Sequence, residues 1–231
     1  MEFVRHGAGA GGAGRRQEVI RPTLTAEQEL LAAGARLVAG IDEVGRGALA
    51  GPVSVGVVVV DAQTGAVPKG LADSKLISPG VRQALVEPIR SWCVHHAVGH
   101  SSAAEIDAIG IVAALRLAAL RALSRLPEAP DAVILDGSHN WLTEEFDLFA
   151  EQPSVTTPPV HMRVKADQHC ASVAAASVLA KVERDAHMTQ LDSIVHGYQF
   201  ASHKGYGSAS HREAIRALGA SDEHRRSWKL L

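Results

Sequence analysis

Residues 37–60 read LVAGIDEVGRGALAGPVSVGVVVV. The stretch opens on an apolar run, Leu37–Ile41, that ends in the adjacent carboxylates Asp42 and Glu43. Gly45-Arg46-Gly47 follows, and then the Val-dense run Val53–Val60, whose β-branched residues predict a strand. Two strands so close in sequence suggest a hairpin-like pair. Two acids at a strand end repel each other unless something positive sits between them. Glycines on both sides of an arginine let backbone N–H groups approach a ligand closely. Together these features point to an acidic metal site beside a backbone that grips a phosphate or a sugar. A charged turn closed by an Arg46 salt bridge would look the same in this stretch alone.

Outward from this stretch, element types alternate. Residues 25–35 carry a short helical pattern. Pro79–Arg90 has helical spacing, and Cys93–Gly99 reads as a strand. Ala103–Leu126 is Ala/Leu-rich with Gly110 inside it, which predicts two helices. Ala132–Leu135 is a buried-type strand ending in Asp136-Gly137, and Val160–Val164 is a further strand. Gln168–Asp192 predicts a long helix dense in Ala and Ser, able to approach the sheet closely. Ser210–Leu218 predicts a last helix, ended by Gly219. The fold class expected is α/β: a mixed sheet flanked by helices, with a helical C-terminal extension.

The chain has 231 residues, 46% hydrophobic and 21% charged, with a formal charge of −2. That is the range of a folded globular protein, and it excludes wholesale disorder and a uniformly basic coat. Cys93 and Cys170 are too few for a disulfide scaffold and lack C-x-x-C spacing. Two free thiols fit a reducing compartment. No apolar run is long enough to span a bilayer, and no apolar stretch follows Arg15-Arg16 as an export signal would require. A cytoplasmic monomer with no membrane association is expected. Residues 1–16 are rich in Gly and Ala and predict a flexible tail. Their G-x-G-x-x-G match at Gly7, Gly9 and Gly12 has no strand before it, so it fails as a dinucleotide site.

Two further acids lie at element ends. Asp136 closes a buried strand, where α/β proteins place sites, although an Asp starting a turn is the plainer reading. Asp167 lies between a strand and the long helix, where it could equally be an N-cap. Asp185 is a rival, but Lys181 at i−4 offers it a simple helix pair. Four carboxylates from separated segments favour Mg²⁺ or Mn²⁺ over zinc. Two such ions about 4 Å apart can clamp the attacking and leaving oxygens of a phosphodiester displacement. The twelve histidines offer no competing zinc spacing, and His95 and His96, adjacent in a strand, point to opposite faces.

These residues also form an ordered set of motifs. They are Gly40-Ile41-Asp42-Glu43-Val44-Gly45-Arg46-Gly47, Leu49-Ala50-Gly51-Pro52-Val53, Asp73-Ser74-Lys75, Glu105-Ile106-Asp107 and Leu135-Asp136-Gly137. Then come Lys165-Ala166-Asp167, the run from Ser172 to Val182, Arg184-Asp185, His203-Lys204-Gly205-Tyr206-Gly207 and His224-Arg225. Over residues 37–228 the chain resembles the bacterial type 2 ribonucleases H (ribonuclease HII). Any one piece is weakly specific; the ordered set is highly specific.

The resemblance implies a ribonuclease H-like fold and endonucleolytic cleavage of RNA in RNA–DNA hybrids. It also implies incision 5′ of single ribonucleotides embedded in duplex DNA, by two-metal-ion hydrolysis leaving 5′-phosphate and 3′-OH ends. The family's metal-site acids fall on Asp42, Glu43, Asp136 and Asp167. Its glycine–arginine–glycine element falls on Gly45, Arg46 and Gly47, which would recognise the 2′-OH. The tyrosine that packs on the sugar next to the cleaved junction falls on Tyr206. Lys75, Lys165, Lys181 and Lys204 stand where phosphate contacts are expected. The implied divisions are 1–36 as tail and lead-in, 37–195 as catalytic domain, and 196–231 as a substrate-binding extension packed on it. The related type 3 enzymes carry an extra N-terminal substrate-binding domain, for which 36 residues are too few.

Three positions depart from the family pattern. Ala48 replaces a usual proline, Ala166 a frequent glycine, and Leu76 follows Lys75 where a second lysine is common. The four acids and the glycine–arginine–glycine element are intact. From His196 onward there are six Lys/Arg against three Asp/Glu, whereas residues 101–151 carry nine acids and three bases. The C-terminal segment is therefore the expected duplex-facing surface, although such charge also suits a solvated face. A non-catalytic hybrid or duplex binder on the same fold is the alternative function. Holding four carboxylates together without metal ions is costly, which argues against it. A nucleotide-binding oxidoreductase fails because Pro52 and a strand, not a helix, follow Gly51.

Overall fold

The computed structural model describes residues 21–143 and 157–231. The expected tail, residues 1–16, lies outside them. Five strands form one sheet in the order β3-β2-β1-β4-β5: β1 (Val38–Val44), β2 (Val53–Val60), β3 (His95–Ser101), β4 (Ala132–Asp136) and β5 (Val160–Arg163). β1 pairs antiparallel with β2 and parallel with β4; β2–β3 is antiparallel and β4–β5 parallel. The sheet is thus mixed, as the sequence predicts.

Helices cover both faces. α4 (Ile111–Leu123), with α3 (Ala103–Ile109) before it, packs Ala114, Leu115, Ala118 and Ala119 on one face, against Val53, Val55, Val57 and Val59. α6 (Ala171–Asp192) lies on the other with α2 (Pro79–Trp92) beside it, around Val58, Ala174–Ala176 and Ile89. Every residue of β2 is buried. This is why Val53–Val60 carries valine at six of its eight positions rather than alternating apolar with polar residues. A Cβ at Gly56 would stand 2.3 Å from the Ala176 carbonyl oxygen, so its absence lets α6 sit directly on the sheet.

Element ends differ from the expected ones where tertiary contacts intervene. The long helix is two: α5 (Ala166–His169), then α6, with extended backbone at Cys170. The lead-in segment causes the break, since Thr23 donates to the His169 carbonyl and accepts from the Ala171 N–H. α1 (Thr25–Ala32) follows, and its buried Glu27 accepts from the N–H and Oγ of Ser172. The third strand begins at His95 rather than Cys93, because Cys93 still donates to Ile89 at the end of α2. Both cysteines are free and buried. α7 (Phe200–His203) and α8 (Ala209–Leu218) close the chain. Phe200 and Ile215 share an apolar cluster with Leu49, Ala50 and Met188, so residues 196–231 pack on the loop after β1. Among the described residues no helix is long and apolar enough to cross a membrane.

Candidate active site

β1 and β4 run parallel with Ile41 opposite Leu135, so the next residues, Asp42 and Asp136, stand side by side where the two strands part. The strands carry the acids to the carboxyl end of the sheet, where open α/β sheets bind ligands. Asp42 is 3% exposed, and its Oδ2 has no hydrogen-bond partner among the described residues. Burial pushes its carboxyl up to about 8; Ser177 and Lys75 pull it down, while Glu43 and Asp136 push it further up. Glu43 is raised by burial, against Arg46, which lies 3.4 Å away. Asp167, 4% exposed, is raised by burial and by Asp136 and Asp73. It is not the N-cap that its place in sequence allowed, because Lys165 holds that position.

The four predicted acids are therefore electrostatic neighbours. Among the described residues no three His, Cys, Asp or Glu side chains form a ready three-ligand metal site. Cations stand at the edge. Lys75 Nζ pairs with Asp167 Oδ2 at 3.3 Å and remains 71% exposed. Its loop is held by Arg82, which donates to the carbonyls of Ser74 (2.6 Å) and Ile77 (2.8 Å). The Ala166 N–H donates to Asp136 Oδ1 at 2.6 Å. Ala166 has no positive φ, so alanine serves where the family often has glycine.

The second group lies beyond β1. Gly45 has φ +85°, and a Cβ there would strike Arg184 Nε at 2.1 Å. Arg46 and Gly47 are exposed, and open space surrounds the Cβ position of Gly47. Tyr206 is 38% exposed, with Lys181 Nζ and the Arg184 guanidinium 5.8 and 5.5 Å from its ring centroid. Lys181 is held by Asp185 at 2.7 Å, the helix pair expected, so Asp185 serves a lysine rather than the acid cluster. Lys204 Nζ donates to Thr189 Oγ1 at 2.6 Å, which pins it on the flank.

Sequence reasoning missed the groups behind these residues. Arg184 is buried and donates to the carbonyls of Pro52, Lys204 and Ala50. Arg225 is buried and donates to those of Gly45, Arg46 and Gly51. Composition places it among the expected duplex-facing cations; it is interior, so the exposed basic surface is smaller than composition implies. Beneath Tyr206, buried His211 has Nδ1 2.9 Å from the Tyr206 carbonyl and Nε2 3.1 Å from His224 Nε2. His224 Nδ1 accepts from the Ser221 N–H. The neutral tautomers consistent with this chain have His224 donating to His211 and His211 to Tyr206. Buried Asp73 is a fifth acid, whose Oδ1 accepts from the Lys75 N–H. Asp73, Arg184, His224 and Arg225 stood in recognisable motifs, but nothing in a sequence separates a buried arginine from a surface one. His211 carried no signal.

The chain is similar to known proteins. The family model for ribonuclease HII matches residues 39–231. Ribonuclease HII of Streptomyces avermitilis is 46% identical over 211 residues, covering 91% of this chain and 84% of that protein. Among solved structures, the PCNA:RNase HII complex from Archaeoglobus fulgidus superposes with a TM-score of 0.63 at 28% identity, over 84% of this chain and 96% of that one. Bst-RNase HIII in complex with Mn²⁺ shares the fold, with a TM-score of 0.57 at 22% identity, over 80% of this chain and 64% of that one.

Proposed function

The chain belongs to the ribonuclease HII family of metal-dependent endoribonucleases, and from that premise we propose that it hydrolyses the RNA strand of RNA–DNA hybrids and incises duplex DNA 5′ of a single embedded ribonucleotide. The products are 5′-phosphate and 3′-OH ends. The observation that carries this reading is the gathering of Asp42, Glu43, Asp136 and Asp167 at one end of the sheet, next to the loop Gly45–Gly47, whose Arg46 and Gly47 are exposed.

The acids fit divalent cations. They are oxygen-only donors; Asp42, Glu43 and Asp167 are raised by burial and in part by a neighbouring carboxylate, and Asp42 Oδ2 is buried without a partner among the described residues. Asp42, Glu43, Asp136 and Asp167 would hold two ions, Mg²⁺ or Mn²⁺, with water and substrate oxygens as further ligands. Such ions, when bound, polarise the phosphate and make water a stronger nucleophile.

The chain's own groups supply the rest. Lys75, beside Asp167, offers positive charge where negative charge grows on phosphate oxygens. Gly45, Arg46 and Gly47 read the 2′-OH, since selecting RNA over DNA at one sugar requires a group that answers that hydroxyl. Tyr206 packs on the neighbouring sugar. Lys181 and Lys204, fixed by Asp185 and Thr189, take phosphate contacts that set the register. One chain carries all these parts, so a monomer suffices.

Asp136→Asn tests the reading. It should abolish cleavage of an RNA–DNA hybrid while duplex affinity stays within about threefold, less than 1 kcal/mol. Retained turnover would refute the role of Asp136.

A further inference from the structure

We propose that Arg225 is a positioning residue for ribose recognition: by turning two carbonyls inward, it turns the N–H groups of Arg46 and Gly47 outward toward the sugar. The inference rests on the reading of Gly45–Gly47 given above and adds what sets that loop's direction.

Arg225 Nη2 donates to the Gly45 carbonyl at 2.7 Å, and Nη1 to the Arg46 carbonyl at 2.8 Å. Nε and Nη2 also reach the Gly51 carbonyl, at 3.2 and 3.1 Å. The side chain is wholly buried and, among the described residues, forms no ion pair. Its charge is answered by backbone oxygens of this one loop.

A trans peptide is planar, with C=O and N–H on opposite sides. Fixing the Gly45 carbonyl on Arg225 therefore aims the Arg46 N–H away from it. Fixing the Arg46 carbonyl does the same for the Gly47 N–H. Both residues are exposed, and neither N–H has an acceptor among the described residues. Two adjacent outward amides beside a position with room for a close approach suit a hydroxyl oxygen. The guanidinium is itself held, because the Arg225 N–H donates to Leu49 and the Gly51 N–H donates to Glu223. Its planar fork fits two carbonyls at once, which a lysine ammonium cannot reproduce.

Arg225→Lys separates positioning from mere stability. KM is measured on a duplex with one ribonucleotide, and Ki on the same duplex in all-DNA form as competitor. A smaller folded fraction lowers apparent kcat but leaves both constants unchanged. The expected result is a KM raised about tenfold, near one lost hydrogen bond, with Ki changed less than about twofold. KM and Ki that stay put, or rise together, would overturn the proposal. A second measurement needs no variant: amide shifts of Arg46 and Gly47 in the wild-type chain should respond to the ribonucleotide duplex and not to its all-DNA form. Equal responses, or none, would also overturn it. A wild-type chain that leaves the ribonucleotide duplex uncut would instead remove the functional reading beneath it.

Discussion

Neighbouring glycines in one loop have different jobs, and substitution can tell them apart. Gly45 is required by its positive φ and by Arg184 packed beneath it, so Gly45→Ala should cost both stability and activity. Gly47→Ala meets open space and should leave the urea midpoint nearly unchanged, within about 0.5 kcal/mol. Its kcat/KM on a ribonucleotide-containing duplex should nevertheless fall about tenfold or more, because the new methyl occupies the approach to the sugar. Full activity in Gly47→Ala would contradict a substrate role for this face. Asp42 makes a second test at this scale. Its folded value of about 8 lies above the unfolded value of about 4, so the folded protein keeps a proton that the unfolded chain has lost. The resulting stability is full below about pH 4 and is lost as pH rises through about 8. In chelator, Tm should fall between pH 5 and 8, and less steeply in Asp42→Asn. Glu43 and Asp167, raised in the same direction, keep some slope in the variant. Divalent cations bind the carboxylate form, so Mg²⁺ should raise Tm more at pH 8 than at pH 6. Identical wild-type and Asp42→Asn profiles would contradict the assignment. The acids were legible because each ends an apolar run or joins two elements. Arg225 was not, since burial of an arginine depends on which loop folds over it.

At the scale of elements, helix α6 is the keystone of the site. It brings Ser177 toward Asp42, Lys181 under Tyr206, and Arg184 beneath Gly45. Its approach depends on Gly56, where an added Cβ would stand 2.3 Å from the Ala176 carbonyl oxygen. Backbone cannot yield as a side-chain tip does. Gly56→Ala should therefore cost about 1–3 kcal/mol in urea unfolding and also lower kcat, because α6 shifts relative to the acids. An unchanged midpoint would show that the helix has slack. The small residues of α6 were legible as a close-packing face. The break at Cys170 was not, because the backbone of Thr23, distant in sequence, competes for the hydrogen bonds that a continuous helix would make.

Over the whole molecule, the loop after β1 is completed by residues from the far end of the chain. The mixed sheet and its flanking helices were legible from periodicity, since the three central strands β2, β1 and β4 are short, mainly apolar runs and β2 is buried on both faces. Surface charge was less legible, because composition counts Arg184 and Arg225 as cations whether or not solvent reaches them. With a net charge of −2, the duplex binding proposed above would fall to a local set, with Lys75, Lys181 and Lys204 around the site. The most direct measurement uses a DNA duplex with one internal ribonucleotide beside an all-DNA control, each incubated with Mg²⁺ or Mn²⁺ and with chelator. The expected result is a single cut 5′ of the ribonucleotide, leaving a 3′-OH, absent from the control and lost with chelator. Binding without cleavage under every metal condition would contradict it and identify the chain as a duplex binder on a ribonuclease H fold.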